Sequence, residues 1–195
     1  MTRPLERVRE HLDTHFDIEP DVASVTFVGA EPIDVLRYRA DGVVNYVSLG
    51  CSRRPMVDPT AMVADPELGP RAEVVLRLRS TEGLTGLARS LAIVAASPSV
   101  EGVVLTTDAL VDLGGPLWTQ PSARVPFTAV LLGDSDIAEL PLDAPRDPVR
   151  FLSATPITGN EAAWVRLKGA EAMREAWRSD GVDVLDPNRP AAQPK

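Results

Sequence analysis

The chain has 195 residues, 44% of them hydrophobic, and a formal charge of −8. That length fits one large domain whose core needs no covalent staple. The single cysteine, Cys51, excludes an internal disulfide and fits a reducing cytoplasm, and the acidic balance argues against non-specific nucleic-acid binding, which needs cationic surface.

Residues 1–13 form a charged amphipathic run rather than a signal peptide. Thr2 is placed to cap a first helix that carries Leu5, Val8, Leu12 and Phe16 on one face. Residues 22–28 and 33–38 alternate as strands, and Asp41-Gly42 turns the second of these into a strand over 43–49, predicting an antiparallel hairpin. That strand ends at Gly50. The stretch 53–71 follows with Pro55, Pro59, Pro66 and Pro70 and no period, a loop longer than a compact domain keeps without a use for it. A strong strand over 72–78 closes this unit, which is expected at the centre of the sheet.

A helix then carries Leu84, Leu87, Ala88, Leu91 and Val94, with Pro98 marking its expected end. Short strands are expected over 103–105 and 110–113. The run 127–132 is nearly all apolar, as a strand covered on both faces would be, and the apolar stretch 125–133 around it is too short to span a bilayer. An acidic connection over 133–150 leads to a last strand over 149–155. Thr158-Gly159-Asn160-Glu161 is a capping box. Trp164, Leu167, Met173 and Trp177 make the apolar stripe behind it, with Gly169 a break into two helices. Residues 190–195 read as a disordered tail.

No cluster declares a chemistry. His11 and His15 have zinc-binding spacing, but Leu12 stands where a zinc-protease helix has Glu, and no other His or Cys group completes the ligands; they read as surface histidines. Cys51 reads as a buried thiol, with a nucleophile as the alternative. Ser48 and Ser52 lie in no G-x-S-x-G elbow, and the glycines at 83–86 and 114–115 match no phosphate-binding loop. Asp134, Asp136, Glu139, Asp143 and Asp147 lack the alternation of a calcium loop and read as a solvated run that can face a partner. Trp118, just after a Gly-Pro break, is expected to be an exposed contact residue, whereas Trp164 and Trp177 read as core anchors. No cofactor is implied.

Three blocks together resemble the suppressor of fused family. Tyr46-Val47-Ser48-Leu49-Gly50-Cys51-Ser52 is similar to its "Y-V-T-x-G-L-S" strand and turn, with Ser48 and Cys51 as departures. Glu73-Val74-Val75-Leu76-Arg77-Leu78 is similar to its "E-L-x-x-R-L" strand. Phe151-Leu152-Ser153-Ala154-Thr155-Pro156-Ile157-Thr158 is similar to its "F-L-x-x-x-P-I-T" strand and cap, extended by Lys168-Gly169 and Asp186-Pro187-Asn188-Arg189. The Ala-rich stretch 84–96 stands where that family has a tryptophan-rich helix. The resemblance implies an α/β fold of the α+β type over residues 1–189, a single mixed, largely antiparallel β-sheet flanked by helices. It implies a protein that binds protein partners and has no catalytic motif residue. For stand-alone bacterial members it implies an immunity protein of a polymorphic toxin system.

The expected function is therefore a cytoplasmic, non-enzymatic binding protein that masks a basic toxin domain, with no nucleic-acid or membrane partner. Trp118, Asp134, Asp136, Glu139 and Asp143 are its candidate partner-binding residues. Two alternatives stand beside it: an enzyme with a site near Cys51, and an adaptor or chaperone for one resident partner.

Overall fold

The computed structural model describes residues 3–57, 60, 65–120 and 126–192. Helix α1 (Pro4–Phe16) opens on a proline whose fixed φ suits a first helical turn, and Thr2 lies outside the described residues. The chain continues as β1 (Asp21–Phe27), β2 (Ala30–Ala40), β3 (Val43–Leu49), β4 (Arg71–Leu78), α2 (Leu87–Glu101), β5 (Leu110–Asp112), β6 (Phe127–Asp134), β7 (Val149–Thr158), α3 (Gly159–Lys168) and α4 (Ala170–Ser179).

All seven strands form one sheet in the order β1-β2-β3-β4-β7-β6-β5. Every neighbouring pair is antiparallel except β4 and β7, which run parallel at its centre. The fold is thus a single mixed, largely antiparallel sheet flanked by helices. The β2–β3 hairpin turns on Asp41 and Gly42, both with positive φ (52° and 74°), which matches the right-handed twist of the paired strands.

Alternation along the strands sorts side chains to two faces. On one, Val35, Tyr46, Val74, Leu76, Leu132 and Leu152 pack beneath α2, whose Leu87, Leu91 and Val94 are buried. The other face is divided. Leu36, Tyr38, Val47 and Phe151 lie under Val8 and Leu12 of α1 and under Ile137 and Leu140 of the acidic connection. Ala129, Leu131 and Ile157 lie under α3 and α4, against Ala162, Met173 and Trp177. β4 is buried on both faces, with Val74, Leu76 and Leu78 on one side and Glu73 and Val75 on the other.

Three expectations are corrected. Residues 103–105 form no strand; Leu105 is buried instead, its N–H donating to Met56 Sδ at 3.3 Å. Helix α2 begins after Leu84 and continues past Pro98 to Gly102, whose φ of 68° ends it. The Val94 carbonyl, which the N–H that proline lacks would have met, takes the Ser97 hydroxyl at 2.8 Å. Finally, the segment expected to be a free tail is held at its start: Ala192 is buried against the α3–α4 core, while residues 193–195 lie outside the described residues. Among the described residues no helix is long and apolar enough to cross a membrane.

Candidate functional site

The turn after β3 is built around one carboxylate. Gly50 has a φ of 149°, and a Cβ there would lie 2.8 Å from Ile33 Cδ1 and 3.2 Å from the Pro32 carbonyl oxygen, so only glycine lets the chain pass. The turn that follows aims the N–H groups of Gly50, Cys51 and Ser52 at Glu73 on the adjacent β4, at 2.9, 3.3 and 3.0 Å. The hydroxyls of Ser48 and Ser52 donate to the same carboxylate at 2.5 and 2.6 Å. Such a concave run of backbone donors is an anion nest, and here the anion is the protein's own side chain.

Glu73 is fully buried, and that burial pushes its carboxyl above the ordinary carboxylate range against the pull of the bonds from Gly50, Ser48 and Ser52. With both oxygens occupied and no path to solvent it is not available as a general base. Ser48 departs from the threonine of the family pattern but keeps the hydroxyl, which also accepts from the Val74 N–H at 2.9 Å. Burial, and then the neighbouring Glu73 charge, push the Cys51 thiol well up. A thiol held protonated is a poor nucleophile.

A second carboxylate organises the other end. Thr158 accepts from the Glu161 N–H at 3.3 Å, and Glu161 Oε2 accepts from the Thr158 N–H at 2.8 Å, the expected capping box. Glu161 does more than cap. Its carboxylate also accepts from Trp177 Nε1 at 3.0 Å, from the Ala192 N–H at 3.1 Å and from the Arg189 guanidinium at 2.7 Å. Burial works to raise its pKa, but the hydrogen bonds from Arg189 and the Thr158 N–H, with the Arg189 charge, hold it below the ordinary range.

The residues expected to meet a partner are not brought to one cluster. Trp118 is corrected: it is 7% exposed and its ring packs 5.1 Å from that of Phe127, because the Gly-Pro segment folds back under α2 rather than outward. Asp134 accepts from Arg150 at 2.9 Å, Asp136 pairs with Arg77, and Asp143 with Arg7 at 3.2 Å. Glu139 lines a cavity of about 230 Å³ with Arg71, Asp147 and Arg150. His11 stacks on Phe151, its Nε2 2.8 Å from the Ala138 carbonyl, and His15 meets the Phe16 ring edge-on. Among the described residues no group of His, Cys, Asp and Glu is placed to hold a metal.

A groove of about 480 Å³ lies where the alternative reading placed an enzyme site, and Cys51 is among the residues that line it. It lies beside the Gly50 turn, between the start of β2 and the last turns of α2, and is lined by Glu31, Arg53, Arg54 and Pro98. Arg53 and Arg54 share one carboxylate, Glu31, each at 3.5 Å.

The three blocks of the resemblance therefore meet as two buried hydrogen-bond hubs. The family model for Suppressor of fused protein (SUFU) matches residues 29–190. The chain belongs to the suppressor of fused family. Its fold recurs in a protein described as a suppressor of fused homologue from Neisseria gonorrhoeae FA 1090, with 19% identity, a TM-score of 0.64, and 95% of this chain and 94% of that chain covered. It recurs in the complex of Sufu with Fu, with 17% identity, a TM-score of 0.68 and 96% and 91% covered. Drosophila Suppressor of Fused gives 16% identity and a TM-score of 0.68 over 97% of this chain but only 51% of that one. At these identities the structural likeness is one of fold. No curated protein matches the chain.

Proposed function

We propose that this suppressor of fused domain is a non-enzymatic protein-binding module that masks a basic partner, a toxin domain being the partner that best suits it. The observation that carries the reading is where the family residues go. Ser48, Gly50, Ser52, Glu73, Thr158, Glu161 and Arg189 hydrogen-bond one another in two buried hubs, which leaves them no free acid, base or nucleophile to offer a substrate. A relative of the same fold was solved as a complex with Fu, a protein partner.

The net charge of −8 supports a basic partner, since complementary fields speed encounter. Asp134, Asp136 and Asp143 keep 75%, 65% and 61% of their side chains exposed although each is paired to an arginine. They still contribute to the long-range field, and with Glu139 they are the first residues to probe.

The test is capture of the tagged full chain's partner from the source cells, followed by assay of the captured protein alone and in complex. The reading expects one stoichiometric basic protein whose activity is suppressed in the complex. A captured protein that remains fully active would reject masking, and turnover of a substrate by this chain alone would reject the non-enzymatic reading.

A further inference from the structure

The two edge strands differ in length: β5 has three residues and β1 has seven. Beside β5, loop donors continue the pairing along β6: Asp108 N–H to the Leu132 carbonyl, Leu113 N–H to Thr128 and Leu117 N–H to Phe127. At the β1 end, nothing among the described residues pairs with the outer edge. Asp21, Val22, Ala23, Ser24 and Thr26 are exposed, Val22 by 54%.

Exposed edges are ordinarily blunted by lysine, proline, a bulge or a covering segment, because open N–H and C=O groups accept any extended chain. β1 contains neither lysine nor proline, and its one register shift comes only between Val25 and Phe27. The residues before that shift form a regular, open ladder. Helix α1 does not cover them: it buries Leu36 and Tyr38 on β2, while Val22 and Ser24 on the same face stay in solvent.

Charge decides what fits there. Residues 17–41 hold six acids, Asp17, Glu19, Asp21, Glu31, Asp34 and Asp41, against Arg37 and Arg39. That local surplus of four is half of the chain's −8. In the acidic connection, by contrast, Asp134, Asp136 and Asp143 are each tied to an arginine from elsewhere in the chain. Around β1 only Asp21, with Arg37 at 2.6 Å, and Glu31 are in ion pairs among the described residues.

We propose that β1 is a docking edge that takes an extended, basic segment of a partner protein as an eighth strand. Main-chain bonds to β1 supply the register, and cationic side chains on alternate positions meet the unpaired carboxylates beside it. A second copy of this acidic chain would place like charges together at the same edge, which disfavours self-pairing. The inference rests on the proposed basic protein partner and names the surface for it.

The test uses the full nitrogen-labelled chain with a short synthetic peptide alternating Lys and Val, and with the same peptide carrying Glu for Lys. The expected result is amide shifts and new exchange protection along β1 and its β2 neighbours with the basic peptide. Binding should be at least about tenfold weaker for the acidic peptide and for the variants Ser24→Lys and Asp34→Lys, which alter exposed or partly exposed positions and leave the core intact. No binding, shifts mapping elsewhere, equal affinity for both peptides or unchanged affinity in both variants would overturn the proposal. So would sedimentation showing the free chain already dimerised through β1. A failure here leaves the capture experiment and the masking reading intact.

Discussion

Glu73 and Glu161 are both sealed from solvent, yet their environments push them in opposite directions. Glu161 releases its proton more readily folded than unfolded. Its contribution is complete above the ordinary carboxylate range and is lost as the pH falls through its depressed native value. Glu73, pushed up by burial, does the reverse: the folded state holds its proton longer, so its ionisation costs stability as the pH rises through the raised value. The stability gap between the wild type and Glu161→Gln, measured by urea titration, should be widest at neutral pH and narrow below about pH 4. Glu73→Ala should cost about 3 kcal/mol or more, because its donors are left buried and unsatisfied. Cys51→Ser should leave partner binding unchanged, and the native thiol should react with iodoacetamide far more slowly than the urea-unfolded thiol. The Thr158–Glu161 box was legible in the sequence because a cap is a contact three residues long. Glu73's role was not, since its donors come from another strand, and Trp118 was misplaced because a Gly-Pro break does not say which way a chain turns.

Among the elements, the segment after α4 closes the second hub. Arg189 Nη2 donates to the Pro156 carbonyl at 2.9 Å as well as to Glu161 at 3.1 Å, so it ties the segment after α4 to β7 and α3 at once. Replacing Arg189 with Met leaves the Glu161 charge buried without its cation. Denaturant unfolding should show a loss of about 3–5 kcal/mol. A variant as stable as the wild type would show that the pair contributes nothing net. Strands β2, β3 and β4 were legible from period-two patterns and β6 from a nearly unbroken apolar run, because each keeps at least one face on a core. Residues 103–105 carried the same apolar signal without a neighbouring strand to pair with, and Pro98 was tolerated inside α2 by a side-chain hydroxyl that no periodicity reveals. The open edge of β1 was equally illegible: its alternation reads as a strand, but only the sheet order shows that one side has no partner.

At the scale of the whole molecule, buried charge serves the fold, and the proposed function assigns the surface charge to association. Family residues close the two hubs inside, while the acidic surplus lies on the rim at the β1–β2 hairpin and along the connection between β6 and β7. Surface pairs such as Asp143–Arg7 add little to stability, so reversing them should disturb the field more than the fold. The most direct measurement is the association rate of this chain with its captured partner across ionic strength, for the wild type and for Asp134→Lys, Asp136→Lys and Asp143→Lys combined. A masking module for a basic domain predicts fast wild-type association that falls steeply with salt. In the triple variant, association should be slowed at low salt with dissociation little changed. Association that is independent of salt and identical in the two proteins would contradict it.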